Sequence, residues 1–135
     1  MATTIKNSSL ELLTEQDVVR TRQTVRKITQ ELGFSLVDQT KMVTAASELA
    51  RNTVVYGGGG EVLVDVLEEG VRTGIRLHFV DHGPGIADIA LAMTEGWTSG
   101  RGLGLGLTGA KRLCNEFSIE SQPGQGTHVT ITRWK

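Results

Sequence analysis

Apolar and polar positions change period several times along the chain, and each change marks an element. Val18, Val25, Ile28 and Leu32 recur at helical spacing between Thr14 and Gly33, which predicts a helix opened by Thr14 and Asp17 in capping-box positions. Ser35 and Asp38 repeat that start signal, and Met42, Ala46, Leu49 and Ala50 form the apolar stripe of a second helix reaching about Tyr56. After the four-glycine turn at 57–60 the period falls to two. Residues 61–67 and 71–81 read as strands joined by a hairpin at Glu69-Gly70, with Ile75, Leu77 and Phe79 alternating with Arg76, His78 and Val80. The segment Asp81 to Gly85 breaks the strand, 86–95 can hold a short helix, and a glycine run leads into a helix ending near Asn115. Two strands, 117–121 and 127–134, flank the turn at 122–126, and Leu10 to Leu13 predicts an edge strand ahead of the first helix.

The order is therefore β, α, α, β, β, a short α, α, β, β. Tight turns between successive strands imply antiparallel pairing, and helices grouped together imply that they cover one face of the sheet. The expected fold class is α+β, a two-layer sandwich with a mixed, mostly antiparallel sheet.

Length and charge narrow the class further. A chain of 135 residues is expected to form a single domain over 1–135. With 14 basic and 15 acidic residues its net charge is −1, which gives no electrostatic reason to expect nucleic acid as a partner. No apolar run approaches a membrane span and the N-terminus lacks a signal-peptide core, so a cytoplasmic protein without membrane attachment is expected. Cys114 lies in an apolar helical stretch and reads as a small hydrophobe rather than a nucleophile. His78, His82 and His128 show no metal-ligand spacing, which argues against zinc.

Four short stretches carry candidate chemistry. In Gly100-Arg101-Gly102-Leu103-Gly104-Leu105-Gly106, glycines at every second position let backbone approach a ligand and offer amide N–H groups ahead of a helix, a cradle for phosphate. Gly104-x-Gly106-x-x-Gly109 also fits the dinucleotide fingerprint, but the residues before it read as helix end and loop rather than the strand a Rossmann unit requires. On the second helix, Glu48 and Asn52 are four apart and share a face off the apolar stripe. That face is either simply solvated, or Asn52 holds Mg²⁺ on nucleotide phosphates while Glu48 orients or deprotonates an attacking hydroxyl. Asp81-His82-Gly83-Pro84-Gly85 is turn chemistry, or a carboxylate for an exocyclic amine with glycines against which a flat ring can lie. Gly124-Gln125-Gly126-Thr127 is a hairpin turn, or a glycine wall with a hydroxyl facing the same pocket.

Taken together, Glu48-x-x-x-Asn52, Asp81-x-Gly83-x-Gly85, Gly102-x-Gly104-x-Gly106 and Gly124-x-Gly126-Thr127 resemble the N, G1, G2 and G3 boxes of the Bergerat-fold (GHKL) ATP-binding family of gyrase, Hsp90, histidine kinases and MutL. The resemblance implies that Asp81 bonds the adenine amino group with Thr127 near it, and that Gly83, Gly85 and Ile86 line the base. It further implies that Asn52 takes Mg²⁺, that residues about 87–101 form a lid, and that Gly102, Leu103, Gly104, Leu105 and Gly106 hold the phosphates. Within that family the wording of Glu31 to Phe34, Ser47 to Asn52, Asp81 to Ile86 and Lys111 to Ser118 is similar to the RsbT-like switch kinases of the stressosome. That similarity implies ATP and Mg²⁺ as cofactors and a serine or threonine of a STAS-domain antagonist or scaffold protein as the acceptor. It also implies Glu48 as the base and a PP2C-type phosphatase as a downstream partner in a stress response. Arg51 and Arg101 are candidate phosphate contacts, though each also reads as a solvated arginine. An anti-sigma factor of the same fold, which sequesters a sigma subunit, and a nucleotide-binding module without transfer activity are the competing expectations.

Overall fold

The computed structural model describes residues 2–86, 93 and 107–135. Among them the elements run β1 (Thr3–Leu12), α1 (Glu15–Glu31), α2 (Leu36–Val55), β2 (Gly60–Glu69), β3 (Arg72–Asp81), α3 (Leu107–Leu113), β4 (Glu116–Ser121) and β5 (Thr127–Trp134). The strands form one sheet in the order β1-β2-β3-β5-β4, and all four pairings are antiparallel. The three described helices pack on one face of it, the expected two-layer α+β sandwich. The short helix expected over 86–95 lies almost wholly outside the described residues.

Local chemistry sets the helix ends. The Thr14 hydroxyl accepts from the Asp17 N–H at 3.3 Å, and the Asp17 carboxylate accepts from the N–H groups of Thr14 at 3.1 Å and Leu13 at 2.9 Å. This is the capping box read from the sequence. Ser35 caps α2 through the Asp38 N–H, but Asp38 turns its carboxylate elsewhere, to Arg133 on β5 at 2.7 Å. Gly33, at φ 83°, ends the run after α1 in the conformation that costs glycine least.

The core lies between the layers. From α2 it receives Met42, Ala45, Ala46, Leu49 and Ala50; from the sheet Val62, Val64, Ile75, Leu77, Phe79, Val129 and Ile131. The small alanines of α2 let that long helix lie close to the strands, so its far end reaches the rim of β3. β1 is longer than the apolar segment Leu10 to Leu13 suggested. Leu12 is fully buried and Leu10 partly so, Leu13 is exposed, and Ala2 to Ser9 are exposed throughout. An edge strand that buries neither face carries no hydrophobic period, so Thr3–Ser9 was silent in the sequence. Val19 is half-buried and Cys114 packs at the core margin. Burial pushes the Cys114 thiol up, and its Sγ lies 3.3 Å from the Ala110 carbonyl, as suits an inert residue.

The Asp17 cap makes stability depend on pH. Its carboxyl is held below the ordinary value of 3.8, first by the Leu13 N–H and also by Thr14 and Arg20, against a smaller raising effect of burial. A depressed folded value means that this contribution is complete above about pH 3.8 and is lost as pH falls through the folded value. Asp17→Asn should therefore lower the thermal midpoint at pH 7, and the difference from wild type should shrink as pH falls below 3.8. Thermal unfolding monitored by circular dichroism across pH 3 to 7 checks it.

Candidate functional site

The end of β3 meets the start of β5 and the last turn of α2, and side chains from all three point into one cleft. Its floor is apolar, from Leu49, Phe79 and Val129; Asn52, Asp81 and Thr127 supply polar groups, and Ile86 and Leu107 close the sides. An apolar slot with a few convergent polar groups suits a flat, partly polar ligand.

Asp81 is the organising group. It is buried, and its Oδ1 accepts from the Gly83 N–H at 3.0 Å and the Thr127 N–H at 3.2 Å. These bonds fix the carboxylate plane and tie the G-P-G turn to β5. Among the described residues nothing donates to Oδ2. A carboxylate fixed through one oxygen can accept from an incoming amino group with the other, without the entropy cost of ordering it first.

Glycines make the corner possible. A Cβ on Gly126, at φ 82°, would overlap the Asp81 carbonyl oxygen, and one on Gly85, at φ 74°, would overlap that of Gln122. Both positions therefore exclude side chains on two counts. Gly83 packs against the backbone of Gly57, and a Cβ there would lie 2.6 Å from the Gly57 carbonyl oxygen.

Ser121 and Gly57 were not singled out in the sequence. The Ser121 hydroxyl accepts from the Ile86 N–H at 2.7 Å, lies 2.9 Å from the Gly126 carbonyl and 2.8 Å from the Thr127 hydroxyl. It fastens β4, the G-P-G turn and β5 together. Its signal was a serine on the half-buried side of β4, in phase with Phe117 and Ile119. Gly57 could have been found only as the first glycine after a helix whose last turn faces Asp81.

On α2, Glu48 and Asn52 stand one turn apart, Glu48 exposed and Asn52 half-buried. The Asn52 Nδ2 is buried with no partner among the described residues. A buried side-chain amide atom that the described residues leave open is suited to a ligand. An amide oxygen here, with nucleotide phosphates and water supplying the rest, fits the hard oxygen-donor set Mg²⁺ takes. Arg51 is exposed on the same helix. The structure thus brings Asn52, Asp81, Ile86 and Thr127 to one cleft, with Gly83 and Gly85 in the turn beside it. Arg101, Gly102, Leu103, Gly104, Leu105 and Gly106 lie outside the described residues, as does most of the segment expected to form a lid.

Comparison with known proteins shows the family. Residues 37–135 match the model of the histidine kinase-, DNA gyrase B-, and HSP90-like ATPases, and the chain belongs to that family. It is 42% identical over 127 residues to the serine/threonine-protein kinase RsbT of Bacillus subtilis (strain 168), covering 94% of this chain and 96% of that one. It is 26% identical over 117 residues to the anti-sigma F factor of Thermoanaerobacter sp. (strain X514), covering 84% of this chain and 82% of that one. Two solved structures share the fold. One is the RsbU and RsbW domains of Rv1364c from Mycobacterium tuberculosis, with a TM-score of 0.65 at 21% identity, over 96% of this chain and 33% of that one. The other is the SiaB-SiaC complex from Pseudomonas aeruginosa, with a TM-score of 0.56 at 13% identity, over 98% of this chain and 91% of that one. Within its family the chain is a serine/threonine-protein kinase of the RsbT-like kind. None of the described helices is long and apolar enough to cross a membrane.

Ser121→Ala should destabilise the fold by about 1–2 kcal/mol, because it leaves the Ile86 N–H and Gly126 carbonyl without their partner. Urea unfolding followed by tryptophan fluorescence measures the loss.

Proposed function

We propose that this chain is a cytoplasmic, single-domain switch kinase that transfers the γ-phosphoryl group of ATP to a serine or threonine of a STAS-domain antagonist or scaffold protein. The observation that carries the proposal is the Asp81 carboxylate, fixed through Oδ1 and with no donor to Oδ2 among the described residues, in an apolar slot lined also by Asn52, which stands one turn of α2 from the exposed Glu48. Adenine enters the slot with its amino group on Asp81, Thr127 beside it, and Gly83, Gly85 and Ile86 along the ring. The glycine run Gly102 to Gly106, with Leu103 and Leu105 contributing backbone N–H groups, holds the phosphates ahead of α3.

Asn52 is the side chain that would hold Mg²⁺, which when bound neutralises charge on the phosphate oxygens. Glu48 accepts the proton of the partner's hydroxyl as that oxygen forms its bond to the γ-phosphorus. The bond from the γ-phosphorus to the bridging oxygen breaks, and ADP carries the electron pair away. Catalysis is then mostly positioning and neutralisation, and Arg51 and Arg101 are placed by sequence to assist the second. Exposure of Glu48 suits a base whose substrate is another protein rather than a small molecule bound inside. Similarity to the RsbT kinase supports a partner-switching role in a stressosome, in which the kinase, once released, activates a PP2C-type phosphatase.

A second reading, sequestration of a sigma subunit, is favoured by the 26% identity to an anti-sigma F factor. The test of the first is transfer from γ-labelled ATP with Mg²⁺ to a STAS-domain protein encoded beside this one. Label on a partner serine or threonine is expected, and Glu48→Ala should reduce the rate by about 100-fold or more with ATP still bound. ATP binding without any transfer, together with capture of a sigma subunit, would replace the kinase reading.

A further inference from the structure

Two of the histidines that show no ligand spacing along the chain are brought together by the sheet. His78 on β3 and His128 on β5 point away from the helices, since their neighbours Leu77, Phe79 and Val129 belong to the core. The register sets His78 opposite Thr130 and His128 opposite Val80, so the two are diagonal neighbours across the strands. Their rings meet edge to face, with centroids 5.6 Å apart and planes inclined at 61°. Both are half-buried, and His128 also lines a polar groove with Glu120, Gln122 and Gln125, which opens the pair to solvent.

The charges on this face do not offset a doubly protonated pair. From β2 come Asp65 and Glu61, from β3 Arg76 and from β4 Glu120, which is opposite His128. Asp65 already pairs with Arg76 at 2.9 Å, and Glu120 and Glu61 are exposed, where charge is screened. The His78 imidazole is accordingly held below its ordinary value of 6.5, first by burial and then by the charges of His128 and Arg76, against weaker opposing effects of Asp65 and Glu120.

The pair sits directly behind the adenine corner. Val80 with His128 is the last rung between β3 and β5. The next residues on the two strands are Asp81 and Thr127, joined by the bond from the Thr127 N–H to Asp81 Oδ1 at 3.2 Å. One residue further, Gly126 packs on the Asp81 carbonyl. Like charges on the diagonal therefore push the strands apart at the rung that supports this bond.

We propose that His78 and His128 form a proton switch behind the cleft: uncharged or singly protonated they let β3 and β5 close on Asp81, and doubly protonated they strain the last rung and release the base. This rests on the reading above that Asp81 holds adenine. A histidine whose folded value is depressed leaves the closed corner fully stable above about pH 6.5, and that stability is lost as pH falls through the folded value. Binding of the base must in return make the pair harder to protonate, since coupling between two binding events is reciprocal.

The test measures adenosine affinity by calorimetry at pH 7.5 and about 5.5, with folding at each pH checked by circular dichroism. Adenosine is the probe because, unlike ATP, it carries no phosphate that titrates in this range. Wild-type affinity should fall about fivefold on acidification. His78→Gln and His128→Gln should bind as wild type does at pH 7.5 and lose that fall, whereas His82→Gln, whose exposed imidazole lies beside Asp81, should keep it. In nuclear magnetic resonance titrations the ring proton of His78 should titrate at lower pH with adenosine bound than without, a shift that a pair acting only on stability would not show. A fall that persists in both His78→Gln and His128→Gln, or vanishes only in His82→Gln, overturns the switch, as does a wild-type affinity independent of pH. Should one variant fail to fold, the other and the His78 titration decide. If wild type binds no adenosine at pH 7.5, the adenine reading fails and the switch with it; binding that ignores pH sinks the switch alone.

Discussion

The fixed carboxylate of Asp81 is the interaction on which the rest of the site depends. A buried aspartate without partners would be costly, and here two backbone N–H groups, from Gly83 and Thr127, satisfy one oxygen. Those bonds require the turn after β3 and the start of β5 to come within a hydrogen bond of the same atom, and that approach requires Gly126, where a side chain would strike the Asp81 carbonyl. The antiparallel pairing of β3 with β5 brings the two segments to the same end of the sheet. Sheet register, glycine placement and ligand chemistry are therefore one constraint.

Around this corner the structure divides its labour. The sheet and the long α2 supply rigidity: α2 buries Met42, Ala46, Leu49 and Ala50 and carries Glu48 and Asn52 outward from the same cylinder. Under the proposed mechanism the base and the metal-holding amide would sit on one helix face at a fixed separation, as positioned catalysis needs. The shorter α3 is fastened to β5 at its C-terminal end by Arg133 and by Asn115. The chain resembles both a kinase, at 42% identity, and an anti-sigma factor, at 26%.

Much of this was legible in the sequence, and the limits have physical causes. The two helix caps, Thr14 with Asp17 and Ser35 with Asp38, are local chemistry and were readable as such, and the alternation of Ile75, Leu77 and Phe79 announced β3. The first part of β1 buries neither face and so left no periodic trace. Asp81 and Thr127 were placed together only through a family pattern, since nothing local in either stretch refers to the other. Ser121 and Arg133 were missed for the same reason: each acts across a sequence distance that no window spans, Ser121 on Ile86 and Arg133 on Asp38. That Glu48 and Asn52 share a face off the apolar stripe followed from the helical wheel, but the half-burial of Asn52 and its amide nitrogen left without a partner among the described residues needed the structure.

The central claim is that the open oxygen of Asp81 receives the adenine amino group, and binding of ADP to Asp81→Asn tests it most directly. The substitution keeps an oxygen for the Gly83 and Thr127 N–H groups and replaces the free acceptor by a donor, so the corner survives while its recognition is reversed. With the fold intact by circular dichroism, affinity should fall about 100-fold, near 2.7 kcal/mol, as expected for losing a hydrogen bond to a charged group. Equal affinity for ADP in the two proteins would contradict the account.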